Sequence, residues 1–327
     1  MQNEECASVK ISVALCTFNG ESYLQQQLQS LLDQTRLPDE VVVGDDGSTD
    51  GTMELLGRFA KSAPFPVRIT QNQTRLGAAQ NFGKSIERCA GEIISFCDQD
   101  DIWKPNKLAV NETAFAGNPQ PAFVFSDADM CGSNGESLGY RLWSSVGLVG
   151  RIHREFDAGR EFDVLLRQNV VTGATLSFAS RFRSLILPID KLWMHDGWIT
   201  LLLSAVGRGK AIDESLIEYR QHASQSIGAA RRSLYQQYLN AKKMDRMVFS
   251  EQANQFEAAL ARLQEQTDFD VSAPVIAALK EKIEHCRHRS AIRLGKSSRL
   301  TVVPEMLSGR YGQFSLGWKS VAQDLFL

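Results

Sequence analysis

The sequence has 327 residues, of which 43% are hydrophobic and 23% charged, and its formal net charge is −2. This length corresponds to about two domains, or to one large α/β domain with an extension. The near-ordinary composition excludes a largely disordered or collagen-like chain. The apolar runs are too short to cross a bilayer, and residues 1–10 lack the cationic start and apolar stretch of a secretory signal. We therefore expect a cytoplasmic protein.

The first hundred residues alternate between β-branched runs and amphipathic helical patterns. The patterns predict strands at 10–16, 40–45, 67–71 and 92–97, and helices at 21–34, 51–61 and 78–89. This alternation predicts an α/β fold with a mostly parallel sheet flanked by helices. Because ligands collect beyond the carboxyl ends of strands in such sheets, we expect loops 17–20, 45–50 and 98–101 to lie along one rim.

The second half of the chain has weaker periodicity. It predicts a strand at 122–126, irregular segments to about residue 228, and helices at 229–263 and 274–288. We therefore expect a first domain at 1–228 and a helical, basic extension at 229–327.

The cysteines are far apart and form no Cys-x-x-Cys pair, which fits neither a zinc site nor a dense disulfide framework. We expect reduced, mostly buried thiols. The six cysteines are Cys6, Cys16, Cys89, Cys97, Cys131 and Cys286.

Acidic residues follow two of the predicted strands. Asp45 and Asp46 precede a Gly-Ser turn and suit hydrogen bonding to a nucleobase and ribose, although an Asx-type turn would give the same pattern. The segment Asp98-Gln99-Asp100-Asp101 places three mutually repelling carboxylates behind an apolar strand. A hard cation such as Mg²⁺ or Mn²⁺ would relieve this repulsion. The alternative is a solvated acidic turn.

Two later segments carry further polar candidates. Asp196, in the segment His195-Asp196-Gly197-Trp198, can act as a general base on a sugar hydroxyl, or it is a surface acid. Arg220, in Tyr219-Arg220-Gln221-His222, can neutralise a diphosphate, or it forms a helix-end ion pair. The sequence contains no Walker loop, GxGxxG, HExxH or GxSxG motif, which disfavours the enzyme classes that those motifs mark.

Taken in chain order, these segments resemble the family-2 inverting glycosyltransferases of the GT-A (Rossmann-like) fold. The DQDD-W, HD-W and YRQH versions are most similar to the branch of bacterial surface-polysaccharide enzymes that contains rhamnosyltransferases. The resemblance covers residues 10–225. It is carried by the segments CTFNG at 16–20, DDGSTDG at 45–51, NQTRLGAAQNF at 72–82, DQDDIW at 98–103, TGAT at 172–175, HDGW at 195–198 and YRQH at 219–222.

The resemblance implies a role for each matching position. Asp196 corresponds to the catalytic base, and Asp100 and Asp101 to metal ligands for Mg²⁺ or Mn²⁺. Asp98 and Asp100 form the DxD pair that contacts ribose and metal. The implied residues for the nucleotide-sugar donor are Thr17, Asn19, Asp45, Asp46, Arg75, Asp98 and Arg220.

The implied reaction moves a sugar, such as L-rhamnose, from a UDP- or dTDP-linked donor to a hydroxyl of a saccharide or lipid-linked acceptor. Such reactions build cell-surface polysaccharide, including lipopolysaccharide. Two other functions fit the acidic segments: a metal-dependent nucleotidyl- or phosphotransferase, and a noncatalytic nucleotide-binding protein. A nucleic-acid partner is not expected, since the pI is about 6.2 and no recognition motif is present.

The end of the chain is basic and contains several aromatic residues. Between residues 285 and 319, seven arginines and lysines accompany one acid, Glu305. With Tyr311, Phe314, Trp318 and Phe326, this segment can lie on an anionic membrane surface. The alternative is a helical lid on the first domain with solvated basic side chains.

Overall fold

The computed structural model describes residues 9–222 and 245–326. Residues 1–8, which make up most of the segment without a secretory signal pattern, lie outside these ranges. So do the predicted boundary at residue 228 and the first part of the helix predicted at 229–263.

The first third of the chain is the predicted alternation of strands and helices. Four parallel strands stand in the order β3-β2-β1-β4, and each connection carries one helix. Buried aliphatic side chains fill β1 and β2, as expected for strands covered on both faces. The elements are β1 (Ile11–Thr17), α1 (Glu21–Leu32), β2 (Glu40–Asp45), α2 (Thr52–Ser62), β3 (Val67–Gln71), α3 (Ala78–Arg88) and β4 (Ile93–Asp98).

The sheet continues beyond β4 with mixed strand directions. Its order is β3-β2-β1-β4-β8-β6-β9-β5, with β7 paired to β6. β8 is antiparallel to both β4 and β6, whereas β9 is parallel to β6. The added strands are β5 (Ile102–Trp103), β6 (Phe123–Cys131), β7 (Ser137–Arg141), β8 (Leu176–Ala179) and β9 (Gly209–Arg220).

The segment predicted to be irregular up to residue 228 is largely structured where it is described. It contains β7, β8, β9 and five helices, and only the last of these helices is longer than two turns. Short helices do not show a recognisable hydrophobic period, which explains the missed prediction. The helices of the middle region are α4 (Lys107–Phe115), which precedes β6, and α5 (Leu142–Val146), α6 (Arg151–Asp157), α7 (Glu161–Arg167), α8 (Arg183–Ile186) and α9 (His195–Val206).

The first two carboxyl-terminal helices pack on the same hydrophobic core as the sheet, and the later ones build a second, smaller cluster around Val302, Tyr311 and Val321. Phe256 and Leu279 belong to one continuous buried cluster with the strands, and the Trp193 indole donates to the Gln255 carbonyl at 2.8 Å. The predicted C-terminal helices are thus present in the described part. They are α10 (Val248–Glu265), α11 (Ala273–Arg293), α12 (Val302–Leu307), α13 (Arg310–Phe314) and α14 (Trp318–Phe326).

Cys16, Cys89, Cys97, Cys131 and Cys286 are free and buried, and Cys6 lies outside the described residues. Among the described helices, none combines the length and apolar character needed to cross a membrane.

Candidate functional site

The carboxyl ends of the parallel strands open into a cavity of about 440 Å³, a size that suits a small-molecule ligand. Seven of the predicted site residues line it, although they come from five separate segments. This is the convergence expected when the carboxyl ends of neighbouring strands meet at one edge. The seven residues are Thr17, Asn19, Asp46, Arg75, Asp98, Asp100 and Asp196.

Asp46 fixes the loop that brings Arg75 to the cavity. Its carboxylate accepts hydrogen bonds from the backbone N–H groups of Leu76 at 2.7 Å and Gly77 at 2.8 Å, and from the Asn72 amide at 3.1 Å. The Arg75 guanidinium stacks 3.9 Å from the centre of the Phe18 ring. The positively charged Arg75 guanidinium is thereby held at the cavity.

Asp45 points away from the cavity. Its buried carboxylate accepts from the Thr17 hydroxyl at 2.8 Å and from the backbone N–H of Ser48 at 2.8 Å. This is the Asx-type turn that the sequence left open as the alternative. Asp45 is not among the residues that line the cavity, and its predicted donor contact stays a prediction.

Gln99 joins the acidic loop to the loop after β1. Its side-chain oxygen accepts from the Phe18 N–H at 2.8 Å, and its amide nitrogen donates to the Phe18 carbonyl at 3.1 Å. A Cβ atom on Gly20 would lie 2.3 Å from that oxygen, so a larger residue at position 20 would displace the Gln99 side chain from this arrangement. The loops that carry Asn19 and Asp98 are thereby held together.

Asp98 is the electrostatic centre of the cavity. Burial, followed by the negative charges of Asp100 and Asp196, raises the pKa of the Asp98 carboxyl to about 7. The Asp100 carboxylate also contacts the His222 ring nitrogen Nε2 at 2.8 Å. Carboxylates from the acidic loop and from α9 therefore interact across one cavity, with an imidazole beside them.

Asp101 and Arg220 lie behind the cavity wall instead of lining it. One Asp101 carboxylate oxygen accepts from the Arg220 backbone N–H at 3.0 Å. The Arg220 guanidinium donates to the Asp100 carbonyl at 2.9 Å and the Ser133 carbonyl at 2.9 Å. Both side chains are buried, and their predicted contacts with metal and diphosphate stay predictions.

A buried lysine lies beneath the acidic loop. Lys107, at the start of α4, has no exposed surface, and its ammonium lies 4.7 Å from the centre of the Trp103 ring. Burial lowers its pKa to about 8, although the nearby Cys97, Asp101 and Asp98 act in the opposite direction. The Lys107 ammonium therefore offsets part of the negative charge of this loop from below.

Asp196 lies in the first turn of α9, and His195 lies directly before it. The Asp196 carboxylate accepts from the backbone N–H of Gly197 at 2.6 Å and lines the cavity. Asp196 is therefore held at the amino-terminal end of α9, where it borders the same cavity as the nucleotide loops.

Three cavity residues had no predicted role. His222 contacts Asp100, Tyr23 stacks 4.6 Å from the His222 ring, and His195 lies against Phe82 at 4.3 Å between ring centres. Both histidines belong to segments that the sequence analysis singled out. The sequence could not predict that these histidines lie near the acidic residues, because this depends on how β9 and α9 pack against the acidic loop.

Comparison with known proteins places this geometry in context. Residues 12–141 match the family model described as glycosyl transferase family 2. An uncharacterized glycosyltransferase of Nostoc sp. is 28% identical over 230 residues, which make up 66% of this chain and 66% of that protein. A Shigella flexneri protein named dTDP-rhamnosyl transferase RfbG is 30% identical over 127 residues, 37% of this chain and 40% of its own length.

The fold is also similar to solved structures. TarS residues 1–349 from S. aureus, solved with UDP-GlcNAc, superpose with a TM-score of 0.54 over 85% of this chain and 72% of that chain, at 17% identity. At this identity the likeness concerns the fold alone. It confirms the predicted α/β architecture.

Proposed function

We propose that this chain, whose residues 12–141 match the glycosyl transferase family 2 model, transfers a sugar from a nucleotide-diphosphate donor to an acceptor hydroxyl, with inversion at the anomeric carbon. The observation that carries the proposal is the single cavity in which Asp46, Asp98, Asp100 and Asp196 converge. Asp46, Arg75 and Asp98 would bind the nucleotide, and Asp196 would face the reacting end of the donor.

The donor we propose is a dTDP- or UDP-sugar, with L-rhamnose as the first candidate sugar. Support comes from the Shigella relative, whose name describes a dTDP-rhamnosyl transferase. The acceptor would be a hydroxyl of a saccharide or of a lipid-linked saccharide in surface-polysaccharide synthesis. Thr17 and Asn19, which line the same cavity as Asp196, would contact the base and ribose.

A divalent cation fits the donor set of the acidic loop. Asp100 and His222 are in direct contact, and the pKa of the neighbouring Asp98 carboxyl is raised by burial and then by the negative charges of Asp100 and Asp196, which a cation would offset. Within the described ranges no three acidic, histidine or cysteine residues form a complete metal cage. Magnesium-type sites use one or two carboxylates together with substrate phosphates, so Asp98 and Asp100 suffice.

When bound, Mg²⁺ or Mn²⁺ would offset the negative charge that develops on the departing nucleotide. Asp196 would remove the proton from the acceptor hydroxyl as that oxygen attacks the anomeric carbon from the side opposite the diphosphate. A single displacement of this kind inverts the configuration. It forms no covalent sugar–enzyme intermediate, so one carboxylate base is enough.

The proposal is tested by incubating the protein with a panel of UDP-, dTDP- and GDP-sugars, Mn²⁺ and saccharide acceptors. We expect release of the nucleoside diphosphate from one donor class, with the opposite anomeric configuration in the product by NMR. Release of pyrophosphate or nucleoside monophosphate instead would indicate nucleotidyl or phosphoryl transfer. No turnover and no nucleotide binding with any donor would contradict the proposal.

Asp100→Ala is expected to weaken metal-dependent nucleotide binding by at least about tenfold, because it removes one charged ligand of a shared cation. Titration calorimetry with UDP or dTDP, with and without Mn²⁺, measures this change. Asp129→Ala is a matched control, since Asp129 is outside the cavity and pairs with Lys104. Equal metal dependence in Asp100→Ala and wild type would exclude Asp100 as a ligand.

A further inference from the structure

Large hydrophobic side chains are exposed at several positions near the carboxyl-terminal end of the described chain. Half of all such side chains exposed in residues 9–222 and 245–326 lie between 300 and 326. Trp318 is 75% exposed and Phe326 is 76% exposed, far above what packing leaves open for side chains of this size. We call this set the C-terminal apolar patch: Leu300, Val303, Leu307, Leu316, Trp318 and Phe326.

Two amphipathic helices carry four of the six patch residues. In α14, Trp318, Ala322 and Phe326 recur at intervals of four and are exposed, whereas Val321 and Asp324 are buried. In α12, Val303 and Leu307 are exposed at an interval of four, and Val302 is buried. The exposed apolar faces are therefore not the faces that hold these helices on the protein.

The exposed charged side chains of residues 285–326 are basic. The acidic groups of residues 285–326 are Glu305, which pairs with His285 and Arg310, and Asp324, whose side chain is 1% exposed and pairs with Arg289. Exposed basic side chains accompany the patch. They are Lys296, Arg299 and Lys319.

We propose that the C-terminal apolar patch docks on a membrane surface containing anionic lipids. Apolar side chains would enter the headgroup boundary, with Trp318 at the level where indole rings are favoured, while Lys296, Arg299 and Lys319 meet lipid phosphates. A symmetric contact between two copies is disfavoured, because it would bring these like charges together. This membrane proposal does not depend on the proposed sugar transfer.

Vesicle flotation tests the proposal with the full chain. We expect binding to vesicles of phosphatidylcholine mixed with phosphatidylglycerol, little binding to phosphatidylcholine alone, and weaker binding at high salt. The double variant Trp318→Ala/Phe326→Ala should bind at least about tenfold more weakly. Leu138→Ala/Val149→Ala, which truncates exposed apolar residues elsewhere, should bind as wild type does.

Two results would overturn the membrane proposal. One is that wild type and the Trp318→Ala/Phe326→Ala variant do not differ in their binding to anionic vesicles, whether both bind or neither does. The other is a wild-type dimer that the same variant converts to monomer in light scattering, with no vesicle binding, which would assign the patch to a second copy. Circular dichroism confirms that each variant is folded.

A second observation concerns the side chain next to Asp196. His195 is 5% exposed and lines the cavity, and neither of its ring nitrogens has a hydrogen-bond partner within the described residues. Its ring is packed against Phe82 and Phe96. Unsatisfied buried polar atoms are costly, so an imidazole held this way at a cavity indicates a ligand partner.

We infer that His195 hydrogen-bonds a hydroxyl of the donor sugar and so selects the sugar; this rests on the proposed function. A Cβ atom on Gly173 would lie 2.3 Å from His195 Nε2, so glycine at 173 leaves the space that the ring occupies. A neutral imidazole offers one donor and one acceptor, which suits a sugar hydroxyl. Its place beside Asp196 puts it at the sugar end of the cavity.

His195→Phe keeps a ring against Phe82 but removes both nitrogens. Calorimetry should give dTDP or UDP affinity within about twofold of wild type, whereas the nucleotide sugar that supports turnover should bind about tenfold or more weakly. Gly173→Ala should have the same selective effect by displacing the His195 ring. An unchanged ratio of nucleotide-sugar to nucleotide affinity in His195→Phe would refute the inference. Absence of nucleotide binding in wild type would instead refute the proposed function.

Discussion

Asp196→Asn is expected to lower kcat by about 10²–10⁴-fold, the usual contribution of a general base, while nucleotide affinity stays within about twofold. The amide keeps the shape of the carboxylate and an oxygen that can accept from the Gly197 N–H, but it cannot take a proton at neutral pH. Measurement of nucleoside diphosphate release, with calorimetric titration of dTDP or UDP, separates the two effects.

Asp213→Asn is the matched control. Asp213 is exposed on β9 and does not line the cavity, so the same change there should leave kcat unaltered. Wild-type turnover in Asp196→Asn would show that another group accepts the proton. A parallel loss of nucleotide binding would indicate that Asp196 holds the donor instead.

Asp324→Ala is expected to lower the free energy of unfolding by about 3–5 kcal/mol. Asp324 is buried and accepts from Arg289 Nε at 2.7 Å and from the Tyr311 hydroxyl at 2.7 Å. Its removal leaves the Arg289 guanidinium buried without its carboxylate partner. Urea unfolding followed by circular dichroism measures the loss.

Glu54→Ala provides the comparison for Asp324→Ala. Glu54 also pairs with an arginine, Arg58, but both side chains are largely exposed, so the expected cost is below about 1 kcal/mol. Equal losses in the two variants would show that burial does not set the strength of the Arg289–Asp324 pair.

The sequence predicted the edge of the sheet at which the acids meet, because that edge follows from strand order and direction. It did not predict which acid of each group faces the cavity. Successive residues of an extended chain point to opposite sides, so Asp46 reaches the cavity while Asp45 caps the turn. In the acidic loop, Asp98 and Asp100 line the cavity, whereas Asp101 is turned inward.

The contribution of distant segments was harder to predict. Arg220 and His222 are two residues apart, yet the first holds the acidic loop from behind and the second contacts Asp100 in the cavity. Their different locations follow from the pairing of β9 with β5 and β6. A residue pattern within one segment contains no information about that tertiary pairing.

A crystal structure with Mn²⁺ and a dTDP- or UDP-sugar tests the central claim most directly, namely that one cavity holds donor and base together. We expect the base and ribose beside Asp46, the diphosphate next to Asp98 and Asp100, and the anomeric carbon facing Asp196. A nucleotide bound outside this cavity, or a sugar separated from Asp196 by protein atoms, would contradict the claim.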